Sequence, residues 1–255
     1  MNRLSIPKSV VRQALDSSSE MVSQGSHETV LDLFKHPLLA KNTLIVFFTW
    51  FVCSLSYYGL SLNTSDLPGN PYLTFLLSGL IELPGYLLCI PMMERLGRRP
   101  AMVLLFLLGG LCCIASGLLP KSLAAFVVGL AVLGKMCVSG VFAVTYNYSA
   151  ELFPTVVRNA GTGFSSLCAR IGSMIAPQVA LLATVGPSWL PIVIYGVFAL
   201  MAAVLDFFLP ETLGQPMPET IEDGIAAVYR AKGREPVGSE NSTPIMESKT
   251  TSTMA

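Results

Sequence analysis

The chain has 255 residues, of which 52% are hydrophobic and only 13% are charged. A soluble globular domain carries about 25% charged residues, so this composition excludes an ordinary soluble protein and indicates an integral membrane protein. Basic and acidic residues balance at 16 each, so the net charge gives no support for a nucleic-acid partner, and none is predicted.

The sequence lacks the patterns on which common enzyme sites are built. It has no Walker loop, no Gly-rich dinucleotide turn and no pair of catalytic carboxylates. His27 and His36 both precede the first apolar run, and the cysteines lie inside apolar runs, where thiols behave as small hydrophobes. The chain is therefore predicted not to be an enzyme and to hold neither a metal nor a cofactor. The six cysteines are Cys53, Cys89, Cys112, Cys113, Cys137 and Cys168.

Six apolar runs follow a polar N-terminal segment. Each has about 19 to 26 residues, which is long enough for a helix to cross the roughly 30 Å hydrocarbon core. The predicted fold is an all-α membrane protein with a six-helix transmembrane domain over residues 43–210. The runs are Leu44–Leu62, Tyr72–Met93, Ala101–Leu119, Ser122–Asn147, Asn159–Ala183 and Trp189–Leu209.

Polar segments lie on both sides of these spans. Residues 1–42 form the predicted N-terminal segment, which is disordered over 1–27 and carries a short amphipathic helix over Val30–Pro37 at the membrane surface. Residues 211–255 form a predicted tail that is largely disordered, because from Gly233 onward it is rich in Ser and Thr and short of aromatic residues.

Loop charges predict the orientation. The loops on one side hold four arginines, whereas those on the other side hold only Lys121. Because basic residues stay in the cytoplasm, this bias predicts that both termini are cytoplasmic. The four arginines are Arg95, Arg98, Arg99 and Arg158.

Three ionisable residues, Glu82, Lys135 and Arg170, lie near the middle of their spans. Each costs at least about 2.5 kcal/mol at a helix centre, so such residues usually face a cavity or one another. We predict that they bind substrate in a cavity lined by spans one, two, four and five, with spans three and six as outer supports. The structural alternative is that Glu82 only neutralises one of the two bases.

Helix breakers occupy corresponding positions in the two halves of this domain. Span two contains Pro84-Gly85, and span five contains Gly172 and Pro177. Paired interruptions of this kind indicate a binding site at mid-membrane, so both spans are predicted to be interrupted there.

The first span is rich in aromatic residues. Trp50 and Tyr57 are seven residues apart and therefore share a helix face. Aromatic faces attract quaternary and protonated amines, so both rings are candidate substrate contacts. The alternative is ordinary packing or lipid contact.

A stretch with one acid, one proline and one base joins the fourth and fifth spans. Pro154 fixes its own backbone, so the preceding helix is predicted to stop by Phe153, with Glu151 and Arg158 flanking a tight connection. The run Ala150–Asn159 resembles the loop after helix ten in the solute carrier 22 group of organic cation, carnitine and organic anion transporters of the major facilitator superfamily.

Other segments resemble the same group. Glu94–Pro100 is similar to the superfamily's acid–x–x–Gly–Arg–Arg signature, with Gly97 in a tight turn. Pro210–Thr220 is similar to the segment that follows the last helix in the same group. Arginines and acids at the inner helix ends are predicted to close the cytoplasmic side as a gate; the alternative is that the arginines only set the topology. The predicted gating residues are Glu94, Arg98, Arg99, Glu151, Arg158 and Glu211.

The resemblance implies the C-terminal half of a major facilitator fold, in which residues 1–42 correspond to the central loop of a longer transporter. It implies transport of small organic ions by alternating access, in the plasma membrane, with a six-helix first half as a possible partner. Cation carriers of this group have an acid where this chain has Arg170, so the resemblance favours a carnitine-like zwitterion or an organic anion. Two alternatives stay open: a truncated half that does not transport, and a sugar-type carrier of the same superfamily.

Overall fold

The computed structural model describes residues 30–63 and 70–231, and within these ranges every regular element is helical. A 3-10 turn over Val30–Phe34 precedes the first α-helix. The predicted disordered leader over 1–27 and the tail from 233 onward lie outside the described residues. The α-helices are α1 (Pro37–Asn63), α2 (Pro71–Leu80), α3 (Glu82–Arg95), α4 (Arg98–Leu118), α5 (Ala124–Leu152), α6 (Arg158–Val185), α7 (Leu190–Asp206) and α8 (Ile221–Ala231).

The predicted spans correspond closely to these helices. Five segments are long and apolar enough to cross a membrane: α1, the α2–α3 pair, α4, α5 and α6. The sixth predicted span contains α7, an apolar helix of 17 residues, which is at the lower limit for crossing the hydrocarbon core.

Prolines account for two helix boundaries. Helix α1 begins at Pro37, seven residues before the predicted Leu44, because proline is favoured in the first turn, where its missing N–H needs no partner. Helix α5 ends at Leu152, directly before Phe153 and Pro154, which confirms the predicted stop.

The two predicted interruptions have different outcomes. Span two is interrupted, but at Ile81 and not at the predicted Pro84-Gly85, which lie inside α3; Pro84 has no N–H to donate to the preceding turn. The expected break in span five is wrong, because α6 runs unbroken through Pro177. Pro177 is exposed, whereas Gly172 packs so closely on α1 that a Cβ there would lie 2.3 Å from the Phe51 carbonyl oxygen. Gly172 therefore serves helix packing.

The transmembrane helices form two layers. Helices α3, α5, α1 and α6 lie side by side in that order, and α4 and α7 pack behind α5 and α1. In the rear pair, a Cβ on Gly196 would lie 2.9 Å from the Gly110 carbonyl oxygen, so only glycine permits this approach. The four helices of the front layer belong to the four spans that were predicted to line a cavity, with spans three and six behind them.

Helix α8 lies at the end of the bundle where α5 joins α6. Thr220 and Asp223 cap its first turn by reciprocal hydrogen bonds of 3.1 and 3.2 Å. Gly224 faces Pro154, and the Thr155 amide donates to the Pro218 carbonyl at 3.0 Å. The segment after α7 is therefore anchored across the end predicted to be cytoplasmic.

Candidate functional site

The front layer brings two of the three mid-span charges together. The Lys135 ammonium on α5 lies 3.1 Å from the Glu82 carboxylate at the start of α3, and the two side chains are only 7% and 17% exposed. Tyr57 on α1 donates to the same carboxylate at 3.2 Å, and its ring centroid lies 5.5 Å from Lys135 Nζ. An acid, a base and a phenol from three helices thus form one neutral cluster.

Arg170 is outside this cluster. It is exposed on α6, and within the described ranges it forms no ion pair. Ala169, Gly172 and Ala176 form the buried face of the same helix, so the guanidinium extends from another face. The pairing of Arg170 with Glu82, which the sequence left open, is absent among the described residues because Lys135 holds that carboxylate.

An aromatic row extends from Tyr57 along α1 and α5. Phe142 lies between Tyr57 and Trp50, with ring centroids 6.2 and 6.0 Å away. Trp50 is 1% exposed and donates to Ser149 Oγ at 2.8 Å, and Tyr146 lies against it at 4.3 Å. Tyr146 is 48% exposed. Trp50 and Tyr57 therefore lie on the same face of α1, as predicted. The accessible ring of this row is that of Tyr146, and Trp50 is buried beneath it.

Charged residues at the inner helix ends form a second site. Arg98 donates from Nε at 3.1 Å and from Nη2 at 2.8 Å to a Glu151 carboxylate oxygen, linking the start of α4 to the end of α5. Thr212 donates to the other oxygen of Glu151 at 2.6 Å. Such charge-assisted contacts are stronger than neutral hydrogen bonds, so a three-part polar link joins α4, α5 and the segment after α7 at this end of the domain.

Glu211 caps α4 in the same region. Its carboxylate accepts from the amides of Arg98 and Arg99 at 2.9 and 3.1 Å, where a negative charge stabilises a helix N-terminus. Gly97 has φ +100°, and a Cβ there would lie 2.8 Å from the Glu211 carboxylate. The predicted tight turn at Gly97 is therefore confirmed, and the close approach involves the acid of another helix end.

The remaining predicted gating residues have other surroundings. The Arg99 guanidinium donates to the Phe207 carbonyl, and its central carbon lies 4.6 Å from the centroid of the Phe207 ring. Arg158 donates to the Phe153 carbonyl at 3.2 Å, and its Nη2 is buried without a partner among the described residues. Glu94 is exposed and forms no ion pair in the part of the chain that the structure describes. The structure thus joins Arg98, Glu151 and Glu211, but does not bring Glu94 into that cluster.

The sequence analysis did not identify several residues that contact the two candidate sites or the helices that hold them. Phe142 and Tyr146 are four residues apart on α5, a spacing that places them on one helix face and could have identified them. Thr212 and the buried pair of Thr49 and Asp206, whose oxygens are 2.6 Å apart, have no such periodic signal. They follow only from the packing of α7 and the chain beyond it.

Comparisons with known proteins agree with this architecture. The family model described as "Sugar (and other) transporter" matches residues 6–223. The chain is 41% identical over 231 residues to the organic cation transporter protein of Drosophila melanogaster, covering 88% of this chain and 42% of that protein. It is 44% identical over 199 residues to human solute carrier family 22 member 13, covering 78% and 36%.

One solved structure shows the same fold. The proton:xylose symporter XylE, of the major facilitator superfamily, aligns with a TM-score of 0.59 and 16% identity over 75% of this chain and 49% of that chain. The chain spans about 40% of the length of the curated relatives that it matches. The relatives and the fold are those of membrane transporters, not enzymes. The chain therefore belongs to the sugar (and other) transporter family, has the fold of the major facilitator superfamily and is similar in sequence to members of the solute carrier 22 group.

Proposed function

We propose that this chain forms the C-terminal half of a plasma-membrane transporter that moves small carboxylate-bearing organic ions by alternating access. Both termini are then cytoplasmic, and the front layer of α3, α5, α1 and α6 faces the substrate path. The single observation that carries the proposal is the charge balance of this layer: Lys135 neutralises Glu82, and Arg170 has no carboxylate partner among the residues that the structure describes.

The unpaired guanidinium favours an anionic group on the substrate. Arginine does not lose its proton in proteins, so at mid-span it requires a counter-ion or water. Its planar fork matches a carboxylate through two parallel hydrogen bonds, a geometry that an ammonium cannot provide. A substrate carboxylate at Arg170 therefore supplies the charge that the described residues do not.

The aromatic row supports a positive group at the other end of the substrate. Tyr146 is exposed, and Phe142 lies between it and Tyr57. The faces of such rings attract ammonium groups with about 0.5 to 2 kcal/mol. A carnitine-like zwitterion, with its ammonium at the aromatic row and its carboxylate at Arg170, uses both features, whereas a simple organic anion uses only Arg170.

The inner cluster supports a gate for this path. The Arg98–Glu151 pair is partly exposed, at 23% and 17% of the two side chains, so water can replace its hydrogen bonds when the helix ends separate. We infer that this pair closes the cytoplasmic side and breaks when that side opens.

Two alternatives are distinguished by the same experiment. A half-length chain that does not transport is favoured by its short coverage of the relatives, and a sugar-type carrier is disfavoured by the charges at Glu82, Lys135 and Arg170. Uptake is measured in cells that express the chain alone, or the chain together with a six-helix first half taken from a relative. The substrates are a carnitine-like zwitterion, a quaternary amine of similar size and a neutral sugar.

We expect zwitterion uptake by the paired halves and a loss of at least tenfold in Arg170→Lys, with a smaller loss for the quaternary amine. Arg230→Lys, on the exposed face of α8, is the matched control and retains both activities. Absence of uptake from both preparations, despite normal expression, supports the non-transporting alternative. Sugar uptake that is insensitive to Arg170→Lys supports the sugar-type carrier.

A further inference from the structure

A long apolar groove runs between α3 and α4, on the side of the domain away from the aromatic row. It has a volume of about 510 Å³, and α5 forms its floor through Leu133 and Met136. Its walls are mainly leucines, such as Leu88 and Leu108, together with Pro91 and other apolar residues. Glu82, Lys135 and Arg170 do not line this groove, so it is separate from the proposed substrate path.

The length of the groove corresponds to one leaflet of a bilayer. On α3 it extends from Gly85 to Arg95, which are ten residues apart and therefore about 15 Å along the helix axis. The hydrocarbon core is about 30 Å thick, so the groove reaches from the inner surface to mid-membrane. This is the depth to which the acyl chain of an inner-leaflet lipid extends.

A positive charge lies at the inner end of the groove. Arg95 lines the mouth, is exposed, and forms no ion pair in the portion of the chain that the structure describes. The neighbouring bases are already engaged, since Arg98 pairs with Glu151. Glu94 is exposed beside Arg95 but does not line the groove. Arg95 is therefore the base at this mouth that is available to an anion.

A second groove of the same volume provides an internal comparison. It also measures about 510 Å³ and lies on the other side of α4, between Leu107 and Phe207. Its base, Arg99, donates to the Phe207 carbonyl, and its wall includes the acid Glu211. Within the described ranges neither arginine forms an ion pair, but the Arg99 guanidinium already donates to a carbonyl in a groove that an acid lines, whereas the lining of the Arg95 groove holds no acid.

We propose that the groove between α3 and α4 binds an anionic phospholipid of the cytoplasmic leaflet. One acyl chain lies against Leu88 and Leu108, and the phosphate contacts Arg95. Basic residues at the cytoplasmic surface attract anionic headgroups, and basic pockets between helices bind them specifically. The inference rests on the cytoplasmic orientation of this end, but not on the identity of the transported substrate.

The test uses the full chain in phosphatidylcholine vesicles that contain a photoactivatable lipid with its reactive group on the acyl chain. Phosphatidylserine and phosphatidylcholine probes are compared at equal amounts, and the cross-linked peptides are mapped by mass spectrometry. We expect phosphatidylserine to label the peptide containing Leu88, which lines only the Arg95 groove, about fivefold more than phosphatidylcholine, which corresponds to about 1 kcal/mol for one basic residue. The peptide containing Phe207, which lines only the second groove, should show no preference.

Variants separate charge from folding. Arg95→Gln should remove the phosphatidylserine preference, whereas Arg95→Lys and the control Arg230→Gln should retain it. Equal labelling by both lipids in the parent chain, or a preference that survives Arg95→Gln, overturns the proposal. Groove peptides that neither lipid labels, while the Arg99 groove is labelled, indicate that protein covers the groove and also overturn it.

Discussion

Replacing Lys135 with Met tests the mid-membrane cluster most severely, because it leaves the Glu82 carboxylate without its base. The two charges are 3.1 Å apart, and their side chains are only 7% and 17% exposed. Removing one partner of a fully buried ion pair costs about 3 to 5 kcal/mol, and the Glu82 carboxylate that remains is only partly buried, so the cost here should not exceed the lower value. Tyr57 still donates to that carboxylate, so we expect a loss of stability near the lower value, about 3 kcal/mol.

The double variant decides whether the loss comes from charge. Glu82→Gln together with Lys135→Met removes both charges, and the glutamine retains an acceptor for Tyr57. Because neither charge is then left without its partner, the free energy of unfolding of the double variant should lie within about 1 kcal/mol of that of the parent chain. The coupling in the double-mutant cycle should therefore be about 2 kcal/mol or more.

Cysteine reactivity provides the assay. Cys53, Cys89, Cys113 and Cys137 are buried in the folded chain, so a thiol-reactive dye reports unfolding in detergent micelles as denaturant is increased. The reasoning is refuted if the free energy of unfolding of Lys135→Met lies within about 1 kcal/mol of the parent value. It is also refuted if the losses in Lys135→Met and in Glu82→Gln alone add up to the loss in the double variant.

Three further predictions concern the inner end and the topology. Arg98→Ala or Glu151→Gln should leave surface expression largely intact and lower uptake by the paired halves, and normal uptake in both variants would reduce this pair to a structural role. Gly97→Ala should lose about 1 to 3 kcal/mol in the same unfolding assay, because φ of +100° and ψ of 167° suit only glycine, and an unchanged midpoint would contradict this. A cysteine at the exposed Ser188 should react with a membrane-impermeant reagent in intact cells and one at the exposed Gln215 should not; the opposite pattern would reverse the orientation.

Much of the fold follows from the sequence because it depends on local signals. Apolar length predicted the spans, Pro154 predicted the end of α5, and Gly97 predicted a tight turn. Pro177 did not break the helix because membrane helices tolerate an internal proline, and Gly172 is explained by its contact with α1. The distinction between a break and a packing glycine lies in the neighbouring helix, which periodicity does not reveal.

The site was predictable as a set of residues but not as a set of partners. Three mid-span charges could be read directly, yet whether Glu82 pairs with Lys135 or Arg170 depends on the order of helices in the front layer. The burial of Trp50 behind Tyr146 depends likewise on how α1 and α5 face one another. Contacts between helices far apart in sequence are set by tertiary packing, and a single sequence does not specify them.

The central claim is that Arg170 binds a substrate carboxylate, and direct binding tests it. Two quaternary amines of equal length are compared by equilibrium displacement on the paired halves; one ends in a carboxylate and the other in its methyl ester. A hydrogen bond to a charged group contributes about 1.5 to 3 kcal/mol, so the carboxylate should bind roughly 10- to 100-fold more tightly. Arg170→Gln should remove this preference, and Arg230→Gln should keep it. Equal affinity for the two ligands in the unmodified protein, or a preference that persists in Arg170→Gln, would contradict the claim.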